Sequence, residues 1–213
     1  MLHTLRRGRR PVRLGSFART TPVSNRWGSD RGTPVDRWYI ERFLGEHTDD
    51  IAGRVLEVKD RGYTDTFGSG VTESAVVDVD PGNELATHVA DLENGDGLPT
   101  GEFDCFIFTQ TLQLIYGFHQ SLATAHRLLA PGGVLLVTVP VTSRLCEPPL
   151  TDYWRLTPLA LERALADAFP GGTTSVRGRG NVLSQVAFLE GLAVEDLNPR
   201  DLASDDTNFP LIA

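Results

Sequence analysis

Phe103-Asp-Cys-Phe-Ile-Phe108 and Val134-Leu-Leu-Val-Thr-Val139 decide the fold class between them. Each is a short, nearly continuous apolar run, the pattern of a parallel strand covered on both faces. Between them Phe118, Leu122, Ala125 and Leu129 recur as one helical stripe over Phe118–Leu129, and Pro131-Gly132-Gly133 breaks that helix before the second strand begins. Strand, helix, punctuation and strand in that order make one unit of a parallel sheet.

The alternation continues in both directions. Upstream, Arg54-Val-Leu-Glu-Val58 reads as a buried strand, Lys59–Gly70 as a polar loop, Ser74-Ala-Val-Val-Asp-Val-Asp80 as a second strand stopped by Pro81-Gly82, and His88-Val-Ala-Asp91 as a short edge element before a loop over Glu93–Gly101. Ahead of these, Thr33–Leu44 has a capping threonine, Pro34 in its first turn, Asp36 at the positive end of the helix dipole, and an apolar face of Val35, Tyr39, Ile40, Phe43 and Leu44. Downstream come a loop over Arg144–Trp154 containing Pro148-Pro149, a helix over Pro158–Phe169 capped by Thr157, a strand near Thr174–Arg179, a helix around Val182–Leu192 and the start of a strand at Phe209–Ile212. The expected architecture is a Rossmann-like α/β fold, a doubly wound and mostly parallel sheet with helices on both faces, formed by residues 26–213 behind a flexible Arg-rich tail, residues 1–25.

Composition narrows the function. The chain has 213 residues, 40% of them hydrophobic, and a net charge of −8, enough for one ordinary core. Eight of the 19 arginines fall within residues 1–31 beside a single acid, Asp30, so the remainder, with 12 basic and 27 acidic residues, carries −15. A body of that sign disfavours nucleic acid and anionic membranes as partners, and no apolar run approaches the ~20 residues of a membrane-spanning helix. The Arg-rich opening lacks the apolar segment of a secretory signal, although it has some transit-peptide character. One lysine, Lys59, beside 19 arginines has the coding bias of a GC-rich genome, so a bacterial cytoplasmic protein is expected. Two cysteines, Cys105 and Cys146, in no CxxC pattern exclude a disulfide scaffold and a structural zinc site.

In such a sheet ligands bind beyond the carboxyl ends of the strands, where the strand order reverses. Glu57, Asp78, Asp80, Asp91, Thr109 and Gln110 all fall there. An ionised carboxylate after the second strand can accept both hydroxyl protons of a ribose. Asp80 suits that role and Asp78, on the same strand face, competes for it; the alternative for either is a solvated strand-end acid.

Together these segments resemble the class I S-adenosylmethionine-dependent methyltransferases over roughly Gly53–Pro140. The resemblance runs from Val-Leu-Glu-Val58 through Val-Asp-Val-Asp-Pro81, Ala-Asp-Leu92 and Phe-Asp-Cys-Phe-Ile-Phe-Thr-Gln110 to His126-Arg-Leu-Leu-Ala-Pro-Gly-Gly133 with its strand. More narrowly, Arg26-Trp-Gly-Ser-Asp-Arg-Gly-Thr-Pro34, Gln110-Thr-Leu-Gln-Leu-Ile115 and Asp152-Tyr-Trp-Arg-Leu-Thr157 resemble type-11-like methyltransferases found near, or fused to, sugar-transferring enzymes.

The resemblance implies S-adenosylmethionine as cofactor and methyl transfer to a small-molecule or glycan acceptor, with a hydroxyl as target and an associated sugar-transferring enzyme as partner. It implies that Glu57 meets the methionine ammonium directly or through the loop, that Gly62 lets that loop approach, that Asp80 or Asp78 binds ribose, that Asp91 and Leu92 meet the adenine, and that Thr109 and Gln110 border the sulfonium. His119 is the candidate base, with a surface histidine as its plain alternative. Tyr153, Trp154 and Arg155 are candidates for holding a sugar face or an anion, Trp154 being otherwise a core plug. Trp27, Arg31 and Arg37 pose the same choice at the N-terminal side.

One departure stands out: the first loop reads Glu57-Val-Lys-Asp-Arg-Gly-Tyr-Thr64, with one glycine where the family alternates several. Lys59 and Asp60 must turn away for a cofactor to approach. A non-catalytic relative serving in binding or assembly is therefore the competing expectation. A nicotinamide dehydrogenase would need a glycine-rich turn running directly into a helix, which this loop lacks.

Overall fold

The computed structural model describes Gly15, residues 18–146 and residues 151–213. The Arg-rich opening through Leu14 and Pro148-Pro149 of the expected loop lie outside the described residues.

Five parallel strands form one sheet in the order β3-β2-β1-β4-β5. They are β1 (Gly53–Val58), β2 (Val71–Asp78), β3 (His88–Val89), β4 (Phe103–Thr109) and β5 (Leu129–Thr138). The α-helices are α1 (Val35–Glu46), α2 (Gly62–Phe67), α3 (Phe118–Leu128), α4 (Pro158–Ala168), α5 (Val182–Leu189) and α6 (Pro199–Leu202). The apolar runs at β1 and β4 become two of the three inner strands, with Val55, Leu56, Phe106, Ile107 and Phe108 wholly buried. Alternate strand residues face opposite layers. Leu56, Phe106 and Phe108 join the layer of α3 and α4, while Val55, Cys105 and Ile107 join that of α1 and α5. Covering both faces in this way is what a parallel sheet requires.

Several expected boundaries shift. The polar stretch after β1 contains α2, because its first amides find an acceptor in the buried carboxylate of Glu57. β2 ends at Asp78, which leaves Asp80 in the turn beyond it. Pro131-Gly132-Gly133 does not precede β5 but bulges within it, since Leu129 already pairs with Phe103 before the register resumes at Cys105 and Val134. The strand expected at Thr174–Arg179 does not form a ladder. Arg179 alone bridges Ile212, as the neighbouring segment Leu211–Ala213 is too short to pair with more of it.

Val139 exchanges both backbone hydrogen bonds with Ala213, so the same side of Val137 and Leu135 also faces outward from the sheet. Among the described residues no backbone bond reaches those outward groups. A groove of about 510 Å³ runs beside them, with Leu161, Leu165 and Phe169 on one wall and Phe43, Glu46 and His47 on the other.

A strap over residues 23–34 crosses the α5 side. Val23 donates to the Glu190 carbonyl (2.8 Å), Arg31 forks onto Asp196 (2.8 and 2.7 Å), and Thr33 donates from its amide and hydroxyl to Glu195. Among the described residues no helix is long and apolar enough to cross a membrane, and no cluster of side chains could hold a metal ion.

Candidate functional site

The strand order reverses between β1 and β4, so the loops after these two strands and after β2 frame one crevice. Glu57, the penultimate residue of β1, is 2% exposed. Its carboxylate accepts from the Thr64 amide (2.8 Å), the Thr64 hydroxyl (2.7 Å) and the Tyr63 amide (3.1 Å). Burial pushes this carboxyl above its usual range while those donors pull it back. Glu57 therefore shapes the first loop by gripping the start of α2 with both carboxylate oxygens.

The loop itself takes the path that a glycine would. Lys59 has φ +74°, a left-handed conformation that costs a non-glycine residue roughly 1–2 kcal/mol. The Asn83 side chain holds it there, donating to the Lys59 carbonyl (2.6 Å) and to the Asp78 carboxylate (2.7 Å). Asp60 folds back to accept from the Gly62 amide (2.8 Å). The Lys59 and Asp60 side chains are exposed, and Gly62 begins the first turn of α2.

The acids after β2 separate clearly. Asp78, half-buried at the end of β2, accepts from the Asp80 amide and from Asn83, which ties it to the first loop. Asp80 is exposed and caps its own turn through the Gly82 amide. Asp91 is exposed and accepts from the Glu93 amide, while Leu92 is 5% exposed within the core.

Thr109 at the end of β4 and Gln110 just beyond it are half-buried, and Gln110 adopts φ +45° with its backbone amide on the Thr138 carbonyl. Gln113, which sequence reasoning passed over, is buried and donates to the Gln110 carbonyl (2.8 Å), yet among the described residues its Oε1 has no partner. Nothing in its spacing distinguished it from a loop glutamine.

The remaining candidates behave differently. His119 lies on the exposed side of α3, its ring tilted over Phe118 at 4.1 Å, with no side-chain hydrogen bond among the described residues to orient it. Trp154 donates to the carbonyls of Ile115 and Tyr116 (3.1 Å each) and packs on Phe118, so it staples the connection between β4 and α3. Tyr153 is 47% exposed and meets Tyr116 edge to face. Arg155, expected to hold an anion, forks onto Asp152 (2.5 and 2.9 Å) and also donates to the carbonyls of Trp154 and Arg144. Its charge is spent within its own loop, and it holds the Asp152 carboxyl below the usual carboxylate range. Arg31 is likewise taken by Asp196, and Trp27 lies under the Arg144 guanidinium at 3.7 Å.

Residues 65–137, which run from α2 through most of β5, match the family model described as a methyltransferase domain. That stretch, about a third of the chain, is similar to a methyltransferase domain. The fold agrees with solved relatives. A SAM-dependent methyltransferase from Archaeoglobus fulgidus is 16% identical, with a TM-score of 0.51 over 70% of this chain and 76% of that one. An S-adenosylmethionine-dependent methyltransferase from Mesorhizobium loti is 14% identical, with a TM-score of 0.54 over 84% of this chain and 96% of that one. No curated protein matches the chain.

The donor set suits S-adenosylmethionine, the group that the similarity to a methyltransferase domain implies. Asp78 keeps accepting capacity for two hydroxyls at the crevice edge, and the first loop makes the left-handed turn without burying the Lys59 or Asp60 side chain.

Proposed function

We propose that the domain methylates a hydroxyl of a small-molecule or glycan acceptor. S-adenosylmethionine supplies an already activated methyl, so the chain's own residues mainly align the reactants and exclude water. In this reading Asp78 holds the ribose, Asp91 and Leu92 border the adenine, Glu57 fixes the loop that meets the methionine part, and Thr109 and Gln110 border the reacting carbon. The observation that carries it is the Asn83 bridge, which joins the Lys59 carbonyl to the Asp78 carboxylate and so couples the first loop to the ribose acid.

A non-catalytic binding or assembly role is the competing reading, favoured by the lysine in a left-handed position. Calorimetric titration with S-adenosylhomocysteine separates the two. Losing a charge-assisted hydrogen bond costs about 1.5–3 kcal/mol. Asp78→Ala should therefore weaken binding at least about tenfold, whereas Asp80→Ala, which removes an exposed turn cap, should change it little. Failure of the folded wild-type protein to bind would overturn the enzymatic reading. Association with a sugar-transferring enzyme belongs to this proposal and would appear as co-purification from cells expressing both.

A further inference from the structure

The carboxylate of Asp36 has no role in the site described above, and its position is unusual for an acid. On α1 the buried residues are Val35, Tyr39, Ile40 and Leu44, with Phe43 packed beside them. At 100° per residue Asp36 falls in the middle of that stripe, so its side chain leaves the helix on the face turned toward the sheet.

The helix is connected to β1 by a short turn and runs back along it. Its 12 residues span about 18 Å and the six of β1 about 20 Å, which brings the first turn of α1 level with Val58 and the first loop. The packing agrees with this placement. Arg37 and Glu41 line a cleft of about 260 Å³ with Asp60, Gly62 and Tyr63 of that loop and of α2.

Asp36 accepts from the Arg37 amide (2.8 Å), and among the described residues it has no ion pair. Solvent still reaches it, yet the surrounding protein raises its carboxyl to about 6, against which Arg37 is the one opposing charge. Besides Arg37, the charged groups that share its surroundings at the Tyr63 phenol are Glu41 and Glu57, and Glu57 is engaged on the start of α2. The Tyr63 phenol of α2 is itself pushed up to about 12, so it stays neutral. An acid placed there only to complement the helix dipole would be better exposed.

We propose that Asp36 is the base that takes the acceptor's proton, its carboxylate facing the space over the carboxyl ends of β1 and β4. The assignment rests on the hydroxyl-methylating reading given above. Asp36 receives the proton as the acceptor's O–H bond breaks and its oxygen bonds to the methyl carbon. The electron pair of the broken carbon–sulfur bond stays on sulfur, and Asp36 returns the proton to water when product leaves. A base that titrates near 6 is ionised at neutral pH and still able to hold a proton.

The test needs no acceptor. Sinefungin carries an ammonium where the cofactor carries its methylated sulfonium, whereas S-adenosylhomocysteine is neutral there. Calorimetry on the full chain should find sinefungin bound about tenfold more tightly than S-adenosylhomocysteine at pH 8, a difference of about 1.4 kcal/mol. That preference should shrink toward parity at pH 5, and vanish at both pH values in Asp36→Asn, with S-adenosylhomocysteine affinity kept. An unchanged preference in a folded Asp36→Asn that binds both ligands would overturn the role of Asp36 alone. Failure of the wild type to bind either ligand would overturn the cofactor reading and this assignment with it.

Discussion

Replacing Asp36 by asparagine should make the protein more stable at neutral pH, and the size of the gain can be worked out from its surroundings. The folded state holds this carboxyl at about 6, against 3.8 for an aspartate in free solution. Between those values the folded protein keeps a proton that the unfolded chain has released, so the unfolded state binds fewer protons and stability falls as pH rises. The full difference corresponds to about 3 kcal/mol. Solvent contact screens part of this, leaving roughly 1–2 kcal/mol as the expected cost of an ionised Asp36 above pH 6. Asparagine keeps the shape and the acceptor for the Arg37 amide but carries no charge. Urea denaturation of wild type and Asp36→Asn at pH 7.5 should show the variant's midpoint raised without a change in slope. At pH 4.5, where wild-type Asp36 is largely protonated when folded, most of the difference should disappear. An equal or lower midpoint at pH 7.5, or a gain that persists at pH 4.5, would refute the reasoning. A stabilising loss of charge at a working residue is the expected signature of a site that trades stability for function.

Other substitutions test the remaining geometry. Glu57→Gln leaves one oxygen for three donors and turns an amide NH₂ toward one of them, so it should cost about 2–4 kcal/mol in chemical denaturation. Arg155→Lys keeps the charge but cannot fork onto Asp152, and should lose about 1–2 kcal/mol of stability at pH 7. Because Asp152 is held below its usual range, that contribution is present at neutral pH and should be lost as pH falls through the depressed value, which acid titration of the denaturation midpoint would follow. Lys59→Gly removes the left-handed penalty and should raise stability by roughly 0.5–1 kcal/mol at the denaturation midpoint, net of glycine's added chain entropy.

Much of the framework was readable from the chain because it rests on contiguous apolar runs. The runs at β1, β4 and Val134–Val139 announced buried parallel strands, and Thr157-Pro158 announced the start of α4, whose cap the structure shows. What escaped reading depends on contacts between distant residues. The segment Gly62-Tyr-Thr-Asp-Thr-Phe67 has little apolar periodicity, and its helix depends on a buried glutamate six residues back from Tyr63. Asp36 has a ready local explanation as a first-turn acid, which hides that it sits on the buried stripe. The ordering of Asp78 and Asp80 turns on where β2 ends, and a period-two pattern continues equally well to either. Arg155 looked free because its carboxylate partner three residues earlier faces it only once the loop has folded.

The outward edge of β5 bears on how the protein can be handled. Residues Leu211–Ala213 lie along the mouth of the groove beside Leu135 and Val137. A peptide fused after Ala213 would therefore continue along the outward groups of Val137 and Leu135, which no backbone bond reaches among the described residues, and an affinity tag of alternating polar and apolar residues could zip onto the sheet there. Such a tag would lend the protein a strand of foreign sequence and alter the melting behaviour it was meant to leave alone. Amides at Leu135 and Val137 should become measurably slower to exchange with deuterium in that fusion than in an N-terminally tagged protein.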